Sequence, residues 1–172
     1  MACALTKGKA KGCKESIGGN SKLYLFDYLE DPFTVAAGVA TAMNVALTAA
    51  WTYDLVGDAS TLTEEVVSDR QTGTVTNTQT LTAVFHKMDA ATAAEFNLIA
   101  KAYPQAVIKD RNGEFHALGI TDGIDFNISG STGGAKPDLN GFTLTGVSTE
   151  STLSPKLDSA TQTAFLAVAG YV

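Results

Sequence analysis

The stretch Gly130-Ser131-Thr132-Gly133-Gly134-Ala135-Lys136 has the glycines and lysine of a phosphate-cradling loop. That chemistry needs the lysine directly after a glycine, then a serine or threonine to bind magnesium and open a helix. Here Ala135 precedes Lys136 and Pro137 follows it, so a flexible surface loop over Gly130–Asp138 is the better reading. Asp110, Asn112, Gly113 and Glu114 resemble the start of a calcium loop, whose glycine belongs at position 6 and bidentate glutamate at position 12. Counted from Asp110 they fall at positions 4 and 5, and a turn accounts for them. Asp122 and Asp125 straddle Gly123 in the same way, and a turn again suffices.

His86 and His116 sit in strand-like runs, and neither accompanies a G-x-S-x-G nucleophile setting. His116 alternates against Phe115 and is expected toward solvent. Glu64 and Glu65 are adjacent on a strand, so their side chains point to opposite faces and cannot act as an acid–base pair; a charged outer face is expected. Cys3 and Cys13 have nine residues between them and no second pair or nearby histidine, which does not support zinc; free thiols are expected. No catalytic constellation emerges. The chain is expected to be non-enzymatic, with no cofactor and no metal.

The elements explain more than these side chains do. From Thr74 the sequence alternates with period two: Thr74, Thr76, Thr78, Thr80 and Thr82 on one face, Val75, Asn77, Gln79, Leu81, Ala83 and Phe85 on the other. Threonine is β-branched and hydrogen-bonds across strands, so its face is stable as sheet yet wettable. Paired with Leu62–Val67 across a break at Asp69–Gly73, this run predicts a long hairpin. Its apolar end is anchored in a core and its first half projects with polar residues on both faces, which needs a partner. Lys22–Phe26 and Trp51–Gly57 read as strands, the latter closed by a Gly57-Asp58 turn. The alanine-rich 34–48 stretch is either a loose helix or a strand. Asp89 is an N-cap for a helix over 90–102 with Phe96, Ile99 and Tyr103 on one face, stopped by Pro104. Asn112-Gly113 predicts a type I′ hairpin turn. Strands follow over 120–128 and 139–147, and the segment from Ser159 is either a short helix capped by Ser159 or a last strand. The fold class is therefore mainly β: a β-sandwich or barrel with one flanking α-helix and a long β-hairpin.

Charge divides the chain in two. Lys7, Lys9, Lys11, Lys14 and Lys22 lie in the first 22 positions against Glu15 alone, a balance of +4. The remainder holds 7 basic and 17 acidic residues, a balance of −10. Residues 1–20 thus read as an extended basic arm and residues 21–172 as one acidic domain. Such a body repels a nucleic-acid backbone, which excludes a DNA-binding fold. No run approaches the roughly 18 apolar residues of a membrane span, and no apolar segment follows the basic start, so neither membrane insertion nor export is expected.

Gly12-Cys13-Lys14-Glu15-Ser16-Ile17-Gly18-Gly19, leading into Lys22-Leu23-Tyr24-Leu25, resembles the start of small virion proteins of crAss-like or related phages of Bacteroidetes hosts. The order from Trp51 to Glu150 is similar to the same group: strand, long polar hairpin, helix begun by Asp, Asn-Gly hairpin, glycine-rich loop, then Leu-Asn-Gly-Phe-Thr-Leu-Thr. The resemblance implies a phage tail-tube or tail-hub subunit. It would be a homo-oligomeric ring in which one sheet of each copy joins an inner barrel and DNA passes without specific binding. Its neighbours would be other tail or portal-proximal proteins, and its location the virion, assembled in the host cytoplasm. The residues expected at contacts between copies are Lys9, Lys11, Lys14, Glu64, Glu65, Asp69, Arg70, Thr74, Thr76 and Thr78. The competing readings are a head decoration, adaptor or connector protein, and a free adhesion or carbohydrate-binding module, which would expose clustered aromatics.

Overall fold

The computed structural model describes residues 7–55 and 59–170; Cys3 and the Gly57-Asp58 turn lie outside the described residues. The fold is mainly β, with two sheets and two helices. The first strand, β1 (Asn20–Phe26), is central to an eight-stranded sheet. Its other members are β2 (Phe33–Ala36), β3 (Val39–Met43), β4 (Ala50–Asp54), β7 (Gln105–Asp110), β8 (Phe115–Leu118), β11 (Lys156–Leu157) and β12 (Ala169–Gly170). Their order is β12-β4-β1-β7-β8-β11-β3-β2. The second sheet has four antiparallel strands: β5 (Thr61–Asp69), β6 (Thr74–His86), β10 (Gly141–Glu150) and β9 (Asp125–Ser131), in that spatial order.

Between the sheets Leu23, Leu25, Ala106, Ile108 and Leu118 meet Leu81, Ala83, Phe142 and Leu144. Helix α1 (Ala90–Ile99) closes this core, setting Phe96 against Phe142 with ring centroids 5.2 Å apart. Asp89 caps it as expected, accepting from the Thr92 amide at 2.8 Å. The helix ends at Ile99, with Ala100 as its cap, short of Tyr103, which Pro104 keeps out of the helical region. Tyr103 is therefore 60% exposed and does not join Phe96 and Ile99.

The opposite face of the large sheet is covered as well. Alternate side chains Tyr24, Phe26, Val107, Phe115 and Ala117 form a second core with Phe33, Leu157 and Phe165. The C-terminal segment supplies this cover: α2 (Ser159–Val168) lays Phe165 on it, and β12 then pairs in parallel with β4. Asp158, one residue before Ser159, is the cap and accepts from the Thr161 amide at 2.7 Å. Burial on both faces explains why β1 and β7 read as nearly continuous apolar runs, each fully buried side chain contributing about 1.5–3 kcal/mol.

Two local expectations exchange places. The alanine-rich stretch is the β2–β3 hairpin, and its two-residue turn, Ala37 (φ 51°) and Gly38 (φ 80°), has the paired positive φ of type I′. At the Asn112-Gly113 hairpin only Gly113 has positive φ (88°), and its amide donates to the Asp110 carbonyl at 3.3 Å. That is a three-residue turn ending in a left-handed glycine, because the Asp110 side chain accepts from the Asn112 and Glu114 amides, each at 2.8 Å. The glycine-rich segment is also shorter as a loop than expected. β9 runs on to Ser131, and the Asp138 carboxylate gathers the Gly134 and Ala135 amides at 2.9 and 2.7 Å.

Candidate functional site

The long hairpin organises the surface that sequence analysis singled out. In the β5–β6 register Thr61 faces Thr82, Thr63 faces Thr80, Glu65 faces Thr78, Val67 faces Thr76 and Asp69 faces Thr74. Directly opposed residues share a face, so these side chains line the outside of the small sheet. The same face continues through Thr143, Thr145, Val147 and Thr149 of β10, with Val84 of β6 opposite Thr143, to Asp125, Asn127 and Ser129 of β9. It carries no lysine or arginine on any of the four strands. Among the described residues, the outer strands β5 and β9, nine and seven residues long, pair with no strand on their far side.

The inner face corrects the expectation that the first half of β6 projects with polar residues on both sides. Asn77 and Gln79 are buried, at 0% and 3% exposure. β10 runs beside β6 as far as the Glu150–Asn77 pair, so only the tip beyond Asn77 is two-stranded. Glu64 points inward to this pair. Its Oε1 accepts from Asn77 Nδ2 (3.0 Å), Gln79 Nε2 (3.4 Å) and the Ser154 amide (2.7 Å), and its Oε2 accepts from Ser154 Oγ (2.9 Å). Asn77 Nδ2 also donates to the Thr152 carbonyl at 2.9 Å, and Gln79 Oε1 accepts from the Gly119 amide at 3.1 Å. Glu64 and loop backbone thus engage the Asn77 and Gln79 amides where an apolar core would otherwise sit, and only Asn77 Oδ1 is left buried without a partner in this cluster. Glu64 is committed within its own chain and is not part of a charged outer face; Glu65 is exposed on the other side.

The remaining expected contact residues lie on two separate surfaces. Asp69, Arg70, Thr74 and Thr76 are exposed at the hairpin tip, and Thr78 is half-buried on the outer face. Asp69 accepts from the Gln71 amide at 2.7 Å; that bond, with help from Thr72, holds its carboxyl below the usual range. Val66, Val67 and Val75 are 50–53% exposed there, an apolar tip that sequence reasoning missed although Val75 stood in the alternating run. Lys9, Lys11 and Lys14 lie on the arm, whose residues 7–19 are all exposed. The arm meets the body at Ile17, which exchanges two hydrogen bonds with the Asn112 side chain (2.8 and 2.9 Å). Cys13 is a free, exposed thiol.

His116 is half-buried under this junction, not turned to solvent, with Nε2 3.9 Å from Asp110 Oδ2. Burial and the Lys156 charge push its pKa down. Burial pushes the Asp110 carboxyl up, but hydrogen bonds from Asn112 and the Glu114 amide, with His116, outweigh it and hold it low. Among the described residues no three His, Cys, Asp or Glu side chains are grouped to hold a metal ion.

A second concavity lies between β4 and α1. Two adjoining hollows, of about 520 and 250 Å³, share Trp51, Tyr53 and Glu95, with Asp27 and Leu98 at the far end. Trp51 and Tyr53 are two apart on β4 and so share a face, a signal present in the sequence. Glu95 comes from α1, which only the fold brings alongside. Burial, and then the Glu95 carboxylate, raise the Tyr53 phenol to about 12. Tyr53 is therefore expected to ionise only near pH 12 in a spectrophotometric titration, and Glu95→Gln to bring it down. The unfolded chain loses this proton near pH 10, the folded chain only near 12, so the stabilisation is complete below pH 10 and fades across that window.

In comparisons with protein-family models, with curated proteins and with solved structures, the chain matches none.

Proposed function

We propose that this chain is a virion structural subunit that assembles head to tail into a ring of a phage tail tube or hub, lining a passage for DNA. One observation carries the reading: a four-stranded antiparallel sheet whose two outer strands run in opposite directions and pair with no further strand among the described residues, with an outer face rich in hydroxyl groups. An unpaired edge is a template for another strand. β5 runs antiparallel to β9, so β9 of one copy placed against β5 of the next continues the alternation without a break. A repeated heterologous contact of this kind closes into a ring when its rotation divides the circle. The resulting inner wall bears threonine, serine and asparagine with Val67, Val84 and Val147 among them, the carboxylates of Glu65, Asp69 and Asp125, His86 at one rim, and no lysine or arginine on its strands. Such a wall is wetted by water and repels phosphate, so DNA slides along it.

Negative-stain imaging and light scattering of the full chain test this reading. Rings are expected. In a Cys3→Ser, Cys13→Ser background, one cysteine among positions 61, 63 and 65 combined with one at 127 or 129 is expected to yield disulfide-linked ladders under oxidation. A solitary molecule at every concentration, or ladders absent from all combinations, would sink the proposal.

A further inference from the structure

The arm and the β4–α1 groove are complementary, and each lacks a counterpart within the described chain. Lys7, Lys9 and Lys11 recur at every second position, so an extended arm carries them on one face, with Gly8, Ala10 and Gly12 on the other. Among the described residues no ion pair engages these lysines. The groove offers two carboxylates, Glu95 and Asp27, beside the rings of Trp51 and Tyr53, and no basic side chain lines it. An ammonium group is held both by a carboxylate and by an aromatic face. Burial chiefly, and then the Glu95 carboxylate, raise the Tyr53 phenol there.

We propose that this groove receives the lysine-bearing segment 7–14 of a second copy stacked end to end, tying one ring to the next. The arm leaves the body beside the β7–β8 turn, whereas the groove opens toward Asp27, at the other end of β1. β1 spans about 20 Å between Asn20 and Phe26. Folding back onto its own groove would require a full reversal of the arm: the bend at Lys14, where the Glu15 amide donates to the Cys13 carbonyl at 3.0 Å, supplies part of one, whereas Asn112 holds the Ile17 backbone from both sides. A copy placed end-on presents its arm with no reversal. The inference rests on the ring reading only for this stacking of copies.

Two measurements on the full-length chain test it. Trp51 is the only tryptophan, so its emission reports the groove. A synthetic peptide of residues 7–19, with serine for cysteine, is expected to shift that emission, and Glu95→Lys to weaken the effect on the order of tenfold. An unchanged emission overturns the proposal. In the second measurement, isotope-labelled and unlabelled chains are mixed and treated with a carbodiimide, which activates a carboxylate for attack by a lysine amine, forming the amide while the carboxylate oxygen leaves as the urea. Amides joining Lys7, Lys9, Lys11 or Lys14 of one isotope to Glu95 or Asp27 of the other support the proposal. Amides confined to one isotope, or rings without arm-to-groove amides, overturn it while the ring reading stands. A peptide that binds a chain that never forms rings overturns the ring reading and leaves the groove assignment in place.

Discussion

Replacing Phe165 by alanine is expected to lower the unfolding free energy by about 3–5 kcal/mol, the cost of emptying a fully buried aromatic site. Phe165 is 0% exposed, and its ring lies 5.4 Å from that of Tyr24 and 6.1 Å from those of Phe26 and Phe33. It is the largest side chain that α2 contributes to the second core, so little else on the helix can collapse into the space. Thermal unfolding followed by circular dichroism should fall by roughly 10 °C for a chain of this length. Leu166, the next residue and 45% exposed, provides the contrast: Leu166→Ala should stay within about 0.5 kcal/mol. Equal losses at the two positions would mean that α2 is not seated as described.

Glu64→Ala is expected to cost about 2–4 kcal/mol, because it strips the acceptor from several donors at once. Asn77 Nδ2 and Gln79 Nε2 are buried and cannot turn to water, and the Ser154 amide loses the bond that fastens the 151–155 segment to the sheet. Glu64→Gln retains an acceptor but sets a new donor among donors, so an intermediate loss is expected. Glu65→Lys, one residue away on the outer face, should leave chemical denaturation nearly unchanged yet reduce assembly. The pair separates two roles that adjacent, chemically identical residues hold in one strand. If both variants lose stability alike, the inward placement of Glu64 is wrong.

The same pair marks where the chain's own pattern stopped being informative. Alternation from Thr74 to Phe85 was enough to place a long strand with a threonine face, because side-chain direction in a strand follows local geometry alone. Asp89 was likewise legible as a cap, since the bond to Thr92 spans one helical turn. Which sheet face is covered is not a local property. Asn77 and Gln79 read as exposed by residue type, and they are buried because loop backbone at Gly119 and Thr152, distant in sequence, joins Glu64 across the hairpin in supplying their partners.

Covering elements decided the rest. The alanine-rich stretch had no period strong enough to choose helix or strand. It became a hairpin because β3 pairs with β11, 113 or more positions later in the chain, and α2 packs beside it. α2 itself exists where its buried face, Thr161 and Phe165, meets the aromatic side of β1. The groove has the same origin: Trp51 and Tyr53 shared a face from their spacing, but Glu95 reached them only through packing. Local geometry, turn chemistry and charge balance were written in the sequence. The contacts that bury a polar side chain or complete a groove join residues far apart along the chain, and only the tertiary structure assigns them.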